Sequence, residues 1–252
     1  MSHVGTRQPA TRLDTIVAVA LVSEQLPRDH MLRTTCLYHG FDLRLLIMAN
    51  FTDAISSRQQ VNNFVSKRVA LLLAFLERCD DKQVVLYTDA YDVFFLQPAA
   101  LTLKRFRAFN ADVVWSVERM FSGQDILEKP HFDALAGQRS VARNKAESKY
   151  RYINSGGFIG IASTLRRLVA DAMSIRPGAT GWHNKTCGEA RGRHCADQWI
   201  FGKVISGSPS GGGGLGRFNI SLDYDRSIFC TSEAFKPTTP SCCACPSSEN
   251  CP

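Results

Sequence analysis

Apolar and polar positions fall along this chain in blocks of two kinds. Thr15 to Val22 and Val84 to Thr88 are short, nearly continuous apolar runs rich in β-branched residues. Such runs suit strands buried on both faces of a parallel sheet. Phe41 to Ala49 alternates loosely and Asp112 to Val117 is again apolar, so both are read as strands, the second ending in Glu118. Between 59 and 78, Val61, Phe64, Val65, Val69, Leu72, Leu73 and Leu76 recur at helical spacing. Further helices are predicted over 27–38 from Pro27, over 99–109, over 163–173 with Ser163 as its cap, and from Asp197 onward. Strand and helix by turns predict an α/β fold with a mainly parallel, Rossmann-like sheet and helices on both faces.

The remaining stretches are polar. Residues 119–149 carry Pro130 and several Arg and Lys and read as an irregular excursion or lid. Residues 176–194 read as a loop and Ser206 to Gly216, nearly all Gly, Ser and Pro, as a flexible one. Phe218 to Phe229 returns to a strand-like pattern. Residues 1–13 are expected to fray and 235–252 to form a Cys/Pro/Ser-rich tail, leaving one domain over 14–234.

Composition narrows the partners. The 252 residues are 44% hydrophobic and 21% charged, ordinary for a globular chain. The formal charge of +7 is scattered rather than gathered on one helix, which argues against a nucleic-acid reader and fits an anionic small molecule. No apolar run approaches the roughly 20 residues of a membrane span. No signal peptide is read at the start. The 9 cysteines are an odd number, so they cannot all pair internally, and Cys187 and Cys195 flank a short polar loop that a bridge would suit. Sequons at Asn50, Asn184 and Asn219 point mildly to a secretory history.

The chemistry gathers at Asp89 and Asp92, directly behind the Val84 strand. Charges there are costly to bury unless something pairs them. At the carboxyl end of a strand in an open α/β sheet, that partner is often a ligand. A bent Asp-x-x-Asp offers hard oxygens to Mn²⁺ or Mg²⁺, and a turn rich in Asp is the plainer alternative. In Asn154-Ser155-Gly156-Gly157, paired glycines allow close approach to a ligand or a tight turn. Glu118 and Asp197, each at the end of an element, are placed to orient sugar hydroxyls or to serve as a base.

Together, Tyr87 to Val93, Val114 to Glu118, Tyr152 to Gly160, Ala196-Asp197-Gln198 and Leu222 to Phe229 resemble the glycosyltransferase domain of procollagen lysyl hydroxylases and related collagen-type glycosyltransferases. The likeness covers roughly residues 15–230. It implies a GT-A fold that uses a UDP-sugar donor and Mn²⁺, with a glycan or protein hydroxyl, such as hydroxylysine, as acceptor. By that resemblance Asp89 and Asp92 bind the metal. Leu21, Ser23, Lys67, Ala90, Tyr91, Asn154, Ser155, Gly156 and Gly157 meet the nucleotide-sugar, and Glu118, Asp197 and Gln198 are catalytic. The family habit would place the chain in the endoplasmic reticulum or Golgi lumen. One departure stands out: the family completes its metal site with a His near the end of the domain. Here only His131, His183 and His194 follow the aspartates, none in that context. Three explanations stand open: a truncated chain, another group or water completing the ion, or lost activity, the last making a nucleotide-sugar or carbohydrate binding module with weakened catalysis the alternative.

Overall fold

The computed structural model describes residues 15–48, 58–119, 129–143, 148–175, 196–207 and 217–230. The expected fraying at 1–13, the 176–194 loop, residues 208–216, the 235–252 tail and the Cys187–Cys195 pair lie outside the described residues.

Six strands make one sheet in the order β2-β1-β3-β5-β4-β6. They are β1 Ile16–Val22, β2 Asp42–Ile47, β3 Val84–Thr88, β4 Val113–Glu118, β5 Tyr152–Ile161 and β6 Ile220–Leu222. β1 pairs in parallel with β2 and β3, and β4 with β6, whereas β5 runs antiparallel to both β3 and β4. Five strands thus share one direction and one is reversed, a mixed and mainly parallel sheet. The helices are α1 Met31–Tyr38, α2 Arg58–Leu76, α3 Ala99–Ala108, α4 Lys129–Arg143, α5 Ala162–Ser174 and α6 Ala196–Ser206.

Alternation along the strands decides which face each side chain meets. Val19, Leu21, Val85, Tyr87, Val113, Trp115 and Val117 pack under α2, α4, α5 and α6. Ile16, Ala18, Val84, Leu86 and Val114 turn the other way, onto Cys36 of α1 and Leu103 and Phe106 of α3. Helices therefore cover both faces. On the first face Tyr87, Phe158 and Trp115 form an aromatic stack across β3, β5 and β4, with ring centroids 4.7 Å and 4.3 Å apart. Each such pair adds about 1 kcal/mol beyond its burial. The stack floors the region where the polar residues gather.

Four expectations are corrected. α4 replaces the irregular excursion over part of 119–149, because Phe132 and Ala136, four apart, bury onto the core. Pro130 is compatible with this because it lies in the first turn, where its missing N–H has no helical partner to lose. α1 begins at Met31 rather than Pro27: Pro27 lies in a turn, and the His30 side chain caps the helix by accepting from the Leu32 N–H. α5 begins without Ser163 as its cap. The Ala162 and Ser163 N–H groups instead donate to the carbonyls of Gln83 and Asp81. Phe218 to Phe229 holds only the three-residue β6, because the chain turns at Asp223. Of the described cysteines, Cys36 and Cys79 are free and Cys230 is disulfide-bonded.

Candidate functional site

β1, β3 and β4 run the same way, so their carboxyl ends reach one edge of the sheet. That edge carries Leu21 near the end of β1 and Ser23 just after it, Asp89 after β3 and Glu118 at the end of β4. The reversed β5 brings its amino-terminal half, with Asn154 and Ser155, to the same edge, and α6 adds Asp197 and Gln198 from its first turn.

The Asn-Ser-Gly-Gly segment is not a turn. It lies inside the continuous β5, where the pairing with β4 shifts register between Trp115 and Val117. Trp115 faces Phe158 and Val117 faces Ile153, so Asn154 to Gly157 bulge out opposite a single residue. A bulge re-aims side chains without ending the strand. Two backbone contacts fix it: the Trp115 indole N–H donates to the Asn154 carbonyl at 3.0 Å, and the Asp89 N–H donates to the Gly156 carbonyl at 2.9 Å.

The bulge is the middle of a polar network. Gln198 Nε2 donates to Glu118 Oε1 at 2.5 Å and Asn154 Nδ2 to Glu118 Oε2 at 3.3 Å. The Ser155 N–H donates to Gln198 Oε1 at 3.2 Å, and the Ser155 hydroxyl to Asp197 Oδ1 at 3.2 Å. Asp197 Oδ1 also accepts from the Gln198 N–H at 2.9 Å. Asp197 and Gln198 are thereby joined to Glu118 across the bulge.

The network continues through a residue the sequence reading did not choose. Arg68 of α2 lies 2.9 Å from Asp197 Oδ2 through Nη1 and 3.1 Å from Asp89 Oδ1 through Nη2. It also donates to the Tyr87 hydroxyl at 2.7 Å. Lys67, its neighbour, is exposed. The signal was present in the spacing: Arg68 stands three after Val65 and four before Leu72, on the apolar stripe, and Lys67 does not.

Burial, together with the charges of Asp197 and Asp92, pushes the Asp89 carboxyl above the usual carboxylate range, against the pull of Arg68. Asp92, three residues on, is exposed. Burial also pushes the Tyr87 phenol up to about 12, so it stays neutral beside the guanidinium. Two carboxylates thus meet one guanidinium, a surplus of negative charge on hard oxygens that suits a divalent cation. Among the described residues no set of three or more His, Cys, Asp or Glu is arranged to hold a metal.

On the other side of the edge, the Tyr91 hydroxyl accepts from the Ser23 N–H at 2.9 Å and lies 2.6 Å from the Ser23 hydroxyl. The Tyr91 ring is exposed and stands edge-on to His30, while Ala90 is buried behind it. Leu21 is buried within β1. Gly157 lies against Phe229, whose own N–H is held by Asp223.

The profile of the PLOD GT domain family matches residues 39–176, more than half of the chain and all of β3, β4 and β5. Procollagen-lysine,2-oxoglutarate 5-dioxygenase 1 of Pongo abelii is 36% identical over 107 residues, which are 42% of this chain and 13% of that protein. The Gallus gallus protein of the same name is 31% identical over 165 residues, 65% of this chain and 18% of that protein. The chain thus spans less than a fifth of these relatives' length. Among solved structures, apo mouse xyloside xylosyltransferase 1 aligns over 78% of this chain and 82% of its own, with 11% identity and a TM-score of 0.39.

Proposed function

This chain belongs to the PLOD GT domain family of glycosyltransferase domains, and from that premise we propose that it moves a hexose from a UDP-sugar to a hydroxyl acceptor with Mn²⁺ as cofactor. The observation that carries the reading is the meeting of Asp89, Asp197 and Glu118 at one edge of the sheet, tied by Arg68, Ser155 and Gln198. The family match takes in Asp89, Asp92, Glu118 and the β5 bulge, and Asp197 and Gln198 lie beyond it.

Asp89 and Asp92 would hold the ion. When bound, the ion is a Lewis acid that stabilises negative charge gathering on the departing diphosphate. The protein's own part is positioning. Arg68 fixes the rotamer of Asp89 from one side, and the Gly156 backbone holds the chain at Asp89 from the other. Glu118 has an amide donor on each oxygen, so its charge is aimed rather than free to swing. Asp197, fixed by Ser155 and Arg68, is the carboxylate best placed to orient a sugar hydroxyl. Ser23 and Tyr91 supply a polar and an aromatic surface beside the aspartates, suited to the nucleoside.

Turnover of UDP-glucose and UDP-galactose by purified protein, with and without Mn²⁺, tests the reading. Transfer or hydrolysis that requires the ion supports it, and a folded protein inert towards both donors overturns it. The alternative is a nucleotide-sugar or carbohydrate binding module. It predicts UDP binding in calorimetry that ignores Mn²⁺.

A further inference from the structure

Arg68 occupies a position where two carboxylates from different elements meet. Its guanidinium reaches Asp89 after β3 and Asp197 of α6 at 3.1 Å and 2.9 Å. The side chain is only 18% exposed, and Tyr87 closes it from below. A guanidinium does not lose its proton in a protein, so this positive charge is permanent. The two carboxylates in contact outnumber the one guanidinium. A divalent cation would offset that surplus of negative charge. It would also have to approach a fixed positive charge that already holds an oxygen of Asp89.

We infer that Arg68 is a built-in counter-ion for this edge of the sheet: it keeps Asp89 and Asp197 together in the metal-free protein and holds down the affinity for a bare divalent cation, so that the ion binds tightly only together with an anionic diphosphate. The inference rests on the reading that Asp89 and Asp92 take the cation. The physics is Coulombic. A unit charge a few ångströms away in a partly buried site changes ion affinity by roughly tenfold or more. A diphosphate brings negative charge that offsets the guanidinium, so the two ligands favour each other by the same factor. A purely structural role for Arg68 makes the opposite forecast: its removal would loosen the site and weaken cation binding.

The experiment is a Mn²⁺ titration, read from the magnetic resonance signal of free Mn²⁺, with and without UDP. It compares the wild-type chain with Arg68→Gln and Arg68→Lys, and circular dichroism and melting report the fold. In the wild type, UDP tightens Mn²⁺ binding by about tenfold or more. Arg68→Gln binds bare Mn²⁺ about tenfold more tightly than wild type. Its enhancement by UDP shrinks in proportion, and adding Asp89→Asn removes the gain. Arg68→Lys, which keeps the charge, stays within about threefold of wild type. Wild-type protein that takes up bare Mn²⁺ as tightly as with UDP overturns the inference even if Arg68→Gln fails to fold. So does a folded Arg68→Gln that binds bare Mn²⁺ no better than wild type. If wild type takes up no Mn²⁺ even with UDP, the metal reading above falls and the inference falls with it.

Discussion

Gly156 stands directly against Asp89: a Cβ built on Gly156 would lie 2.6 Å from Asp89 Oδ2 and 2.8 Å from Asn154 Oδ1. A Cβ there fits only if one of these side chains shifts.

Gly156→Ala is accordingly expected to keep the fold and displace Asp89. UDP-sugar turnover should fall by at least about tenfold, since a misplacement of about 1 Å at a catalytic group costs that much or more. The melting temperature should move by only a few degrees. Turnover within twofold of wild type would show that Asp89 is free to relocate.

Asp89→Asn and Asp92→Asn each remove one hard anionic oxygen donor. Both variants should fold, and Mn²⁺-dependent turnover should drop by about 100-fold or more, the scale of losing electrostatic stabilisation at a leaving group. The two losses should be far from additive if, as proposed, both carboxylates hold one ion. Steady-state kinetics on the single and double variants read this directly. Full activity in Asp92→Asn would remove that residue from the site.

Asp223 is fully buried, and its carboxylate accepts from the Ser227 N–H, the Ser227 hydroxyl, and the N–H groups of Ile228 and Phe229, all within 2.8 Å. This turn sets Phe229 against Gly157. Asp223→Ala strands several backbone donors at once. It should cost about 3 kcal/mol in urea unfolding, on the scale of a lost charge-assisted hydrogen-bond set. A change under about 0.5 kcal/mol would mean that the turn holds without its anchor.

Asp133 gives a pH dependence with a definite sign. Burial acts to raise its carboxyl, but donors from Lys129, Tyr152 and Arg151 outweigh it and hold the group below the usual carboxylate range. Its folded pKa is thus lower than its unfolded value of about 3.9. In that window the unfolded chain binds the proton first, so the stabilisation is present above pH of about 4 and is lost as pH falls through the folded value. Unfolding free energy measured from pH 6 to pH 3 should decline less steeply in Asp133→Asn than in wild type. Parallel curves would remove Asp133 from the acid response.

Much of this protein was legible in the order of its residues. The apolar runs at Thr15 and Val84 are β1 and β3 almost to the residue, and the stripe from Val61 to Leu76 is α2. These are local properties: burial on two faces needs a continuous apolar run, and burial on one helix face needs a period near 3.6. The Asp-x-x-Asp at the end of β3 follows from the same logic, since polar residues after a buried strand fall at the sheet's edge.

The rest depended on contacts between residues far apart in sequence. Asn154 to Gly157 read as a close approach to a ligand or a tight turn, and only the pairing of the flanking Ile153 and Phe158 with Val117 and Trp115 makes them a bulge inside β5. The direction of β5 was decided by its two neighbours, because an apolar strand sequence serves either direction. The choice of Arg68 over Lys67 was set by how α2 is rotated against the sheet, a property of packing to which each residue adds only a share. The sequence by itself determined which residues must be buried and where carboxylates end a strand. Tertiary packing decided which of those carboxylates share a counter-charge, because electrostatic partners are chosen by distance in space and not along the chain.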